Sequence, residues 1–332
     1  MDIAGETSMA SRDETSLRLT LERLLQVAQG PGVKASGLRR EPSPFATLFP
    51  AEVLSVSLES GDEVSFFVKH LGYEQSDHPD KQCRDREIRV YEELLREDHL
   101  PAVKYYGSRW NEMTKRREVF LEHIDDWDLK YHDLEHWFTA ARRLAQLHAY
   151  FATRAERLLA CDFLLRLDAR YFYEWADRAL SVVADQSAEL AAELECVVDN
   201  YNRVTEALAR QPLTLVHNDL APKNVMADRS SSPARICFVD WEMAGVGCGL
   251  MDLVHLKYGL DPVNDQKMCT AYCEEVAGTD LLPPDPQERN SLFAACEVHQ
   301  TIYLLAHSKS WRLPAAKVAQ WVMEAEQFIA RI

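Results

Sequence analysis

The chain has 332 residues, 47% hydrophobic and 27% charged, with a formal net charge of −16. That length allows two lobes with separate cores. The acidic balance argues against a nucleic-acid partner, which would need a basic face, and the lack of any run of eighteen apolar residues argues against a membrane span. The polar start, MDIAGETSMASRDETS, has no apolar signal segment, so a cytoplasmic location is expected. The eight Cys form no CxxC pair and read as reduced thiols used as small hydrophobes rather than as zinc ligands. An acidic protein concentrates cations, which favours a cationic small molecule as partner.

Residues 15–29 carry apolar side chains at helical spacing and stop at Gly30-Pro31. Residues 30–50, rich in Gly, Pro and Ser, read as loop with one strand. Leu54, Val56 and Leu58 alternate with polar residues, Ser60-Gly61-Asp62 turns, and Val64, Phe66 and Val68 alternate again, which predicts a hairpin. After a charged loop a helix is expected over 81–97, then strands from about 101 to Leu121. From Asp133 onward helices are expected over 134–158, 170–184, 187–210, 249–260, 264–276, 287–308 and 314–330, interrupted by a hairpin at 213–240. The class is α+β: a small antiparallel β lobe with one helix, then a larger, mostly helical lobe. The domains are read as 1–122 and 123–332.

The chemistry concentrates in LVHNDLAPKN and ICFVDWE. His217 and Asp219 are followed by Asn224 five residues after the Asp, and Asp240 sixteen residues after the Asn. Apolar segments on both sides predict short buried strands that present these polar side chains at their ends. Phosphoryl transfer needs such a set, with one carboxylate for the acceptor's proton and oxygen donors for the metal ions. Asp219 is the candidate base, with His217 as a hydrogen-bonding buttress and Lys223 near the transferred phosphate. Asn224 and Asp240 supply oxygens suited to magnesium. Upstream, Lys69 ends the second hairpin strand and Glu87 follows eighteen residues later. Such a Glu can hold a phosphate-binding Lys extended.

HNDLAPKN with CFVDWEMAG, together with FFVKH, REIRVYEELL and ARRLAQLHA, resembles the aminoglycoside phosphotransferase and choline/ethanolamine kinase superfamily over about residues 30–310. The resemblance implies a bilobal protein-kinase-like fold, ATP or GTP with magnesium, and transfer of the γ-phosphoryl to a hydroxyl. It makes Asp219 the catalytic Asp, Asn224 and Asp240 the metal ligands, and Asp252 a structural Asp. The connector Leu121, Glu122, His123 and Ile124 would meet the nucleobase. No glycine loop precedes Lys69, so Ser43 to Thr47 is the expected phosphate-side flap. The acceptor is expected to be an aminoglycoside-type antibiotic or an amino alcohol, lined by residues from 170–177 (Tyr171, Tyr173, Glu174, Trp175) or 293–303 (Glu297, His299, Tyr303). A neutral sugar, a protein substrate or a catalytically inactive binding protein are the alternatives. The lack of D-F-G and A-P-E counts against a protein kinase.

Overall fold

The structure, a computed structural model, describes residues 3–44, 49–72 and 78–332. The chain divides into two compact units, Met1–Asp125 and Asp126–Ile332.

The first unit opens with helix α1 (Ile3–Gln29) and continues into strands β1 (Ala35–Pro42), β2 (Ala51–Leu58) and β3 (Glu63–Leu71). The short helix α2 (Arg86–Arg89) runs into a π turn at Val90–Leu94, and β4 (Tyr105–Asn111) and β5 (Arg116–Glu122) follow. The five strands form one antiparallel sheet in the order β1-β2-β3-β5-β4. Leu17, Leu21 and Leu25, four residues apart on α1, face the same way. They pack on Leu54, Val56, Phe66, Val68 and Phe120 to make this unit's core. Strand alternation then puts Phe67 and Lys69 on the opposite face of β3.

The helix expected over 81–97 is much shorter. Its start is a 3-10 turn at Pro79–Lys81, and the Arg86 guanidinium bonds the Asp80 carbonyl there. Helix α1 in turn begins well before residue 15.

The second unit contains α3 (Leu134–Ala152), α4 (Ala155–Ala160), β6 (Leu165–Arg166), α5 (Ala169–Ala184), α6 (Ala188–Asp199) and α7 (Asn202–Ala209). Then come β7 (Leu213–Val216), β8 (Val225–Asp228), β9 (Arg235–Phe238) and β10 (Gly245–Cys248). Helices α8 (Leu250–Lys257), α9 (Pro262–Glu275), α10 (Pro286–His307) and α11 (Ala315–Ile329) complete it. Helix α10 packs against α5, α7, α8 and α11.

Two expected long helices are each broken in two. Thr153 turns its hydroxyl back to the Tyr150 carbonyl, and the Asn200 amide bonds the Cys196 carbonyl. Such local bonds compete with the helical ladder. The single hairpin expected at 213–240 is also two structures. Strand β7 pairs with β10, and only β8 and β9 form the hairpin. The eight cysteines are unbridged.

Candidate active site

In the first unit, the register of β3 sets Lys69 between Ala51 of β2 and Val119 of β5. Its Nζ donates to Glu87 Oε2 at 2.7 Å, and Glu87, on α2, is 2% exposed. A carboxylate that deep holds the Lys side chain extended along the sheet.

The other expected nucleotide residues are less open. Ser43 is buried at the end of β1, where its backbone N–H donates to the Ala51 carbonyl, so it is not part of an exposed flap. Thr47 lies outside the described residues. Leu121 is laddered between Phe67 and Tyr105. The amides of Glu122 and His123 donate to Lys104 and Ser65. The donors expected to meet a nucleobase at these two residues are therefore already engaged in the sheet.

In the second unit, four elements converge on the HND loop. Strand β7 carries the chain into it, and Asn218 then takes a left-handed backbone with φ of 64°, a conformation Asn tolerates better than most residues. Both Asp252 oxygens, from the first turn of α8, accept loop amides: His217 N–H at 2.7 Å and Asn218 N–H at 2.9 Å. The Asn218 side chain donates to the Tyr171 hydroxyl of α5 at 2.9 Å.

His217 is fully buried and lies against Trp241, with ring centroids 4.6 Å apart. Its Nε2 is 2.9 Å from the Val239 carbonyl, and its Nδ1 is 3.3 Å from the Asp219 N–H. A carbonyl only accepts, so Nε2 carries the hydrogen and Nδ1 receives one. His217 thus fastens the loop to the end of β9.

Asn224 directs its amide nitrogen at two Asp219 oxygens, the carbonyl at 2.7 Å and Oδ2 at 3.1 Å. Both are acceptors, which settles the amide's orientation and turns Asn224 Oδ1 away from Asp219. Lys223, largely exposed, reaches to 3.8 Å from Oδ2. Asp219 Oδ1 accepts no hydrogen bond from the described residues. The nearest cation-capable group to it is His255 Nε2 at 3.9 Å. Burial lowers the His255 pKa against the pull of Asp219 and Asp252, so this ring faces Asp219 uncharged.

The profile of the phosphotransferase enzyme family (APH) matches residues 73–282. The chain belongs to this family. No curated protein matches it. Among solved structures it is similar to a microcompartment-associated aminopropanol kinase, at 15% identity over 93% of this chain and 94% of that one, with a TM-score of 0.58. It is also similar to an aminoglycoside phosphotransferase described as putative from Ralstonia eutropha JMP134, at 14% identity over 94% and 95%, with a TM-score of 0.57. The choline kinase LicA of Streptococcus pneumoniae gives 13% over 96% and 100%, with a TM-score of 0.55, and LicA has also been solved with AMP. These likenesses establish the α+β, protein-kinase-like fold of this phosphotransferase.

The family's chemistry calls for a metal ion, and the donor set here is compatible with magnesium. Among the described residues no three His, Cys, Asp or Glu side chains gather into a cage. Magnesium needs none, since it keeps several waters and binds through one or two carboxylates plus substrate phosphates. The β8–β9 hairpin sets the Asn224 carbonyl against the Val239 amide at 3.0 Å, which brings Asp240 to the same end. Asp240 has φ of 70° and begins a 3-10 turn at Trp241–Met243. The Asn224 amide oxygen, turned away from Asp219, and the Asp240 carboxylate are hard donors of the required kind.

A pocket opens beside the loop between α8 and α10, lined chiefly by Asn218, Asp252, His255, His299, Gln300 and Tyr303. Of the residues expected to line an acceptor site, it gathers His299 and Tyr303. Trp175 is core, Tyr171 supports Asn218, Glu174 pairs on the surface with Arg170, and Glu297 is paired with Lys257. Sequence reasoning missed His148, fully buried between the Tyr272 hydroxyl at 2.8 Å and Asp252 Oδ2 at 3.3 Å. It also missed His255, whose signal was its i,i+3 spacing from Asp252 on one helix face, and Gln300, which had none.

Proposed function

We propose that this phosphotransferase moves the γ-phosphoryl group of ATP or GTP to a hydroxyl of a small molecule, with Asp219 as the base. The observation that carries this reading is the uncommitted Oδ1 of Asp219, on a carboxylate whose other oxygen, backbone and neighbours are all held in place. The acceptor oxygen bonds to the γ-phosphorus as the bond to the β,γ-bridging oxygen breaks. The hydroxyl proton passes to Asp219 Oδ1, leaving a phosphate monoester and the nucleoside diphosphate.

Lys69, held by Glu87, neutralises phosphate oxygens as a point charge. Lys223 lies near enough to Asp219 to face the transferred group. Asn224 Oδ1 and Asp240 would hold magnesium, which supplies neutralisation of the charge on the β- and γ-phosphates. The net charge of −16 draws cations toward the surface at long range, but it does not say what sits against Asp219.

The test is acceptor-dependent ADP release by Asp219→Ala and wild type. Loss of a positioned base predicts a kcat lower by ~10²–10⁴-fold, with the variant still folded by circular dichroism and still binding nucleotide. A folded variant with wild-type kcat would remove Asp219 from this role.

A further inference from the structure

We propose that His255 is a second catalytic residue, whose Nε2–H holds the acceptor's hydroxyl oxygen while that oxygen's proton points at Asp219 Oδ1. This inference rests on the phosphotransferase reading of the same site, and it covers any hydroxyl that reaches Asp219, water included.

The two Asp219 oxygens have different surroundings. Oδ2 takes the Asn224 amide at 3.1 Å and has Lys223 Nζ at 3.8 Å. That reading gives those two residues to the metal and the transferred phosphate, so Oδ2 marks the phosphate side. Oδ1 accepts no hydrogen bond from the described residues, and His255 Nε2 stands 3.9 Å from it. The gap is too long for a direct hydrogen bond. It does suit a shared partner, because an oxygen about 2.8 Å from Oδ1 and about 2.9 Å from Nε2 closes a triangle on that base. Both side chains are 15% exposed, so neither is sealed from solvent.

The ring is in the state this role needs. Burial lowers the His255 pKa against the pull of Asp219 and Asp252, and His217 and Lys223 lower it further. The imidazole is therefore neutral and carries one hydrogen. A carboxylate only accepts, which favours that hydrogen on Nε2, the nitrogen facing Asp219. A protonated His255 would instead pair with Asp219 and take up the oxygen that the acceptor's proton needs.

One carboxylate sets the spacing. Asp252 accepts the His217 and Asn218 amides, which fixes the loop immediately before Asp219. His255 lies three residues on from Asp252, on the same side of α8. Farther along the helix, Lys257 ties it to Asp265 at 2.6 Å and Glu297 at 3.0 Å. Base and donor are thereby held to one anchor. In the step, one lone pair of the acceptor oxygen forms the bond to phosphorus and the hydroxyl proton passes to Asp219 Oδ1. The other lone pair accepts from His255, which keeps its own hydrogen throughout and stops the hydroxyl from turning its proton away.

The test uses the full-length protein with ATP and magnesium, and follows ADP release with water, ethanolamine, kanamycin and glucose as acceptors. His255→Leu and His255→Phe both remove the donor, Phe keeping a flat ring. His255→Gln restores an uncharged N–H that cannot take up a proton. Loss of one hydrogen bond predicts ADP release about tenfold slower in the Leu and Phe variants, with KM for ATP unmoved and folding unchanged by circular dichroism. His255→Gln is expected to regain most of the lost rate. A wild-type rate without the donor, or a Gln variant as slow as Leu and Phe, would overturn the donor role. With Asp219→Ala still slowed, either result would leave the phosphotransferase reading standing. ADP release with none of the four acceptors would overturn both.

Discussion

That Lys69 meets Glu87 and Asn224 meets Asp219 was legible in the sequence, because each pair belongs to a spaced set of residue types. The carboxylate of the Lys69–Glu87 ion pair is the more informative at this scale. Glu87 is almost wholly enclosed, so removing Lys69 takes the cation at 2.7 Å away from a buried carboxylate. Lys69→Ala is expected to cost about 3–5 kcal/mol, and the double variant Lys69→Met with Glu87→Gln should recover most of it. Urea unfolding of the two variants checks this, and equal stabilities would show that the pair is not coupled. His148 and Gln300 could not be read in the same way. Their roles arise from contacts across more than a hundred residues, as between His148 and Asp252, or from an absent partner, as at Gln300. No spacing rule encodes either.

Among the secondary-structure elements, the strands were easier to read than the helices. The two-residue alternation through Val64, Phe66 and Val68 survives in β3 because α1 covers one face of the sheet. Helix ends were misjudged where a side chain offered the backbone another partner, as at Thr153 and Asn200. Strand β10 was missed because Gly245-Val246-Gly247-Cys248 lacks strand propensity; it is a strand because it fits between β6 and β7.

The same close fit makes Gly249 intolerant. A Cβ there would lie 2.6 Å from His148 Nδ1 and 2.8 Å from Thr214 Cγ2. Gly249→Ala is therefore expected to lose about 1–3 kcal/mol and, by displacing His148 from Asp252, to lower kcat as well. A variant neutral in both unfolding and ADP release would contradict that chain of contacts.

The sheet also carries a pH-sensitive ion cluster. Burial opposes a proton on His70, but the carboxylates of Glu118 and Glu52 outweigh it and hold the pKa at about 9, above the ordinary 6.5. The folded state thus binds the proton more tightly than the unfolded chain does. The stabilisation is complete below pH 6.5 and is lost as pH rises through about 9. The stability difference between wild type and His70→Gln should accordingly shrink across that window in urea titrations. A difference that stays constant with pH would show that His70 is not charged in the fold.

At the scale of the whole molecule, the length allowed either two lobes or one large domain, and the chain divides into the units Met1–Asp125 and Asp126–Ile332, against a boundary expected after residue 122. The α+β class followed from the order of periodic segments, strands first and helices after. The charge of −16 carried less. It sums the whole chain, whereas the pocket beside the HND loop is lined by one acid, and that acid already accepts two backbone amides. The most direct measurement of the central claim is the fate of the γ-phosphoryl group itself. Phosphorus NMR of a reaction with ATP, magnesium and a small hydroxyl-bearing acceptor should show a phosphate monoester growing in step with ADP, and its rate should fall by ~10²–10⁴-fold in Asp219→Ala. Release of inorganic phosphate in place of the ester, or an ester formed at the wild-type rate by the variant, would contradict it.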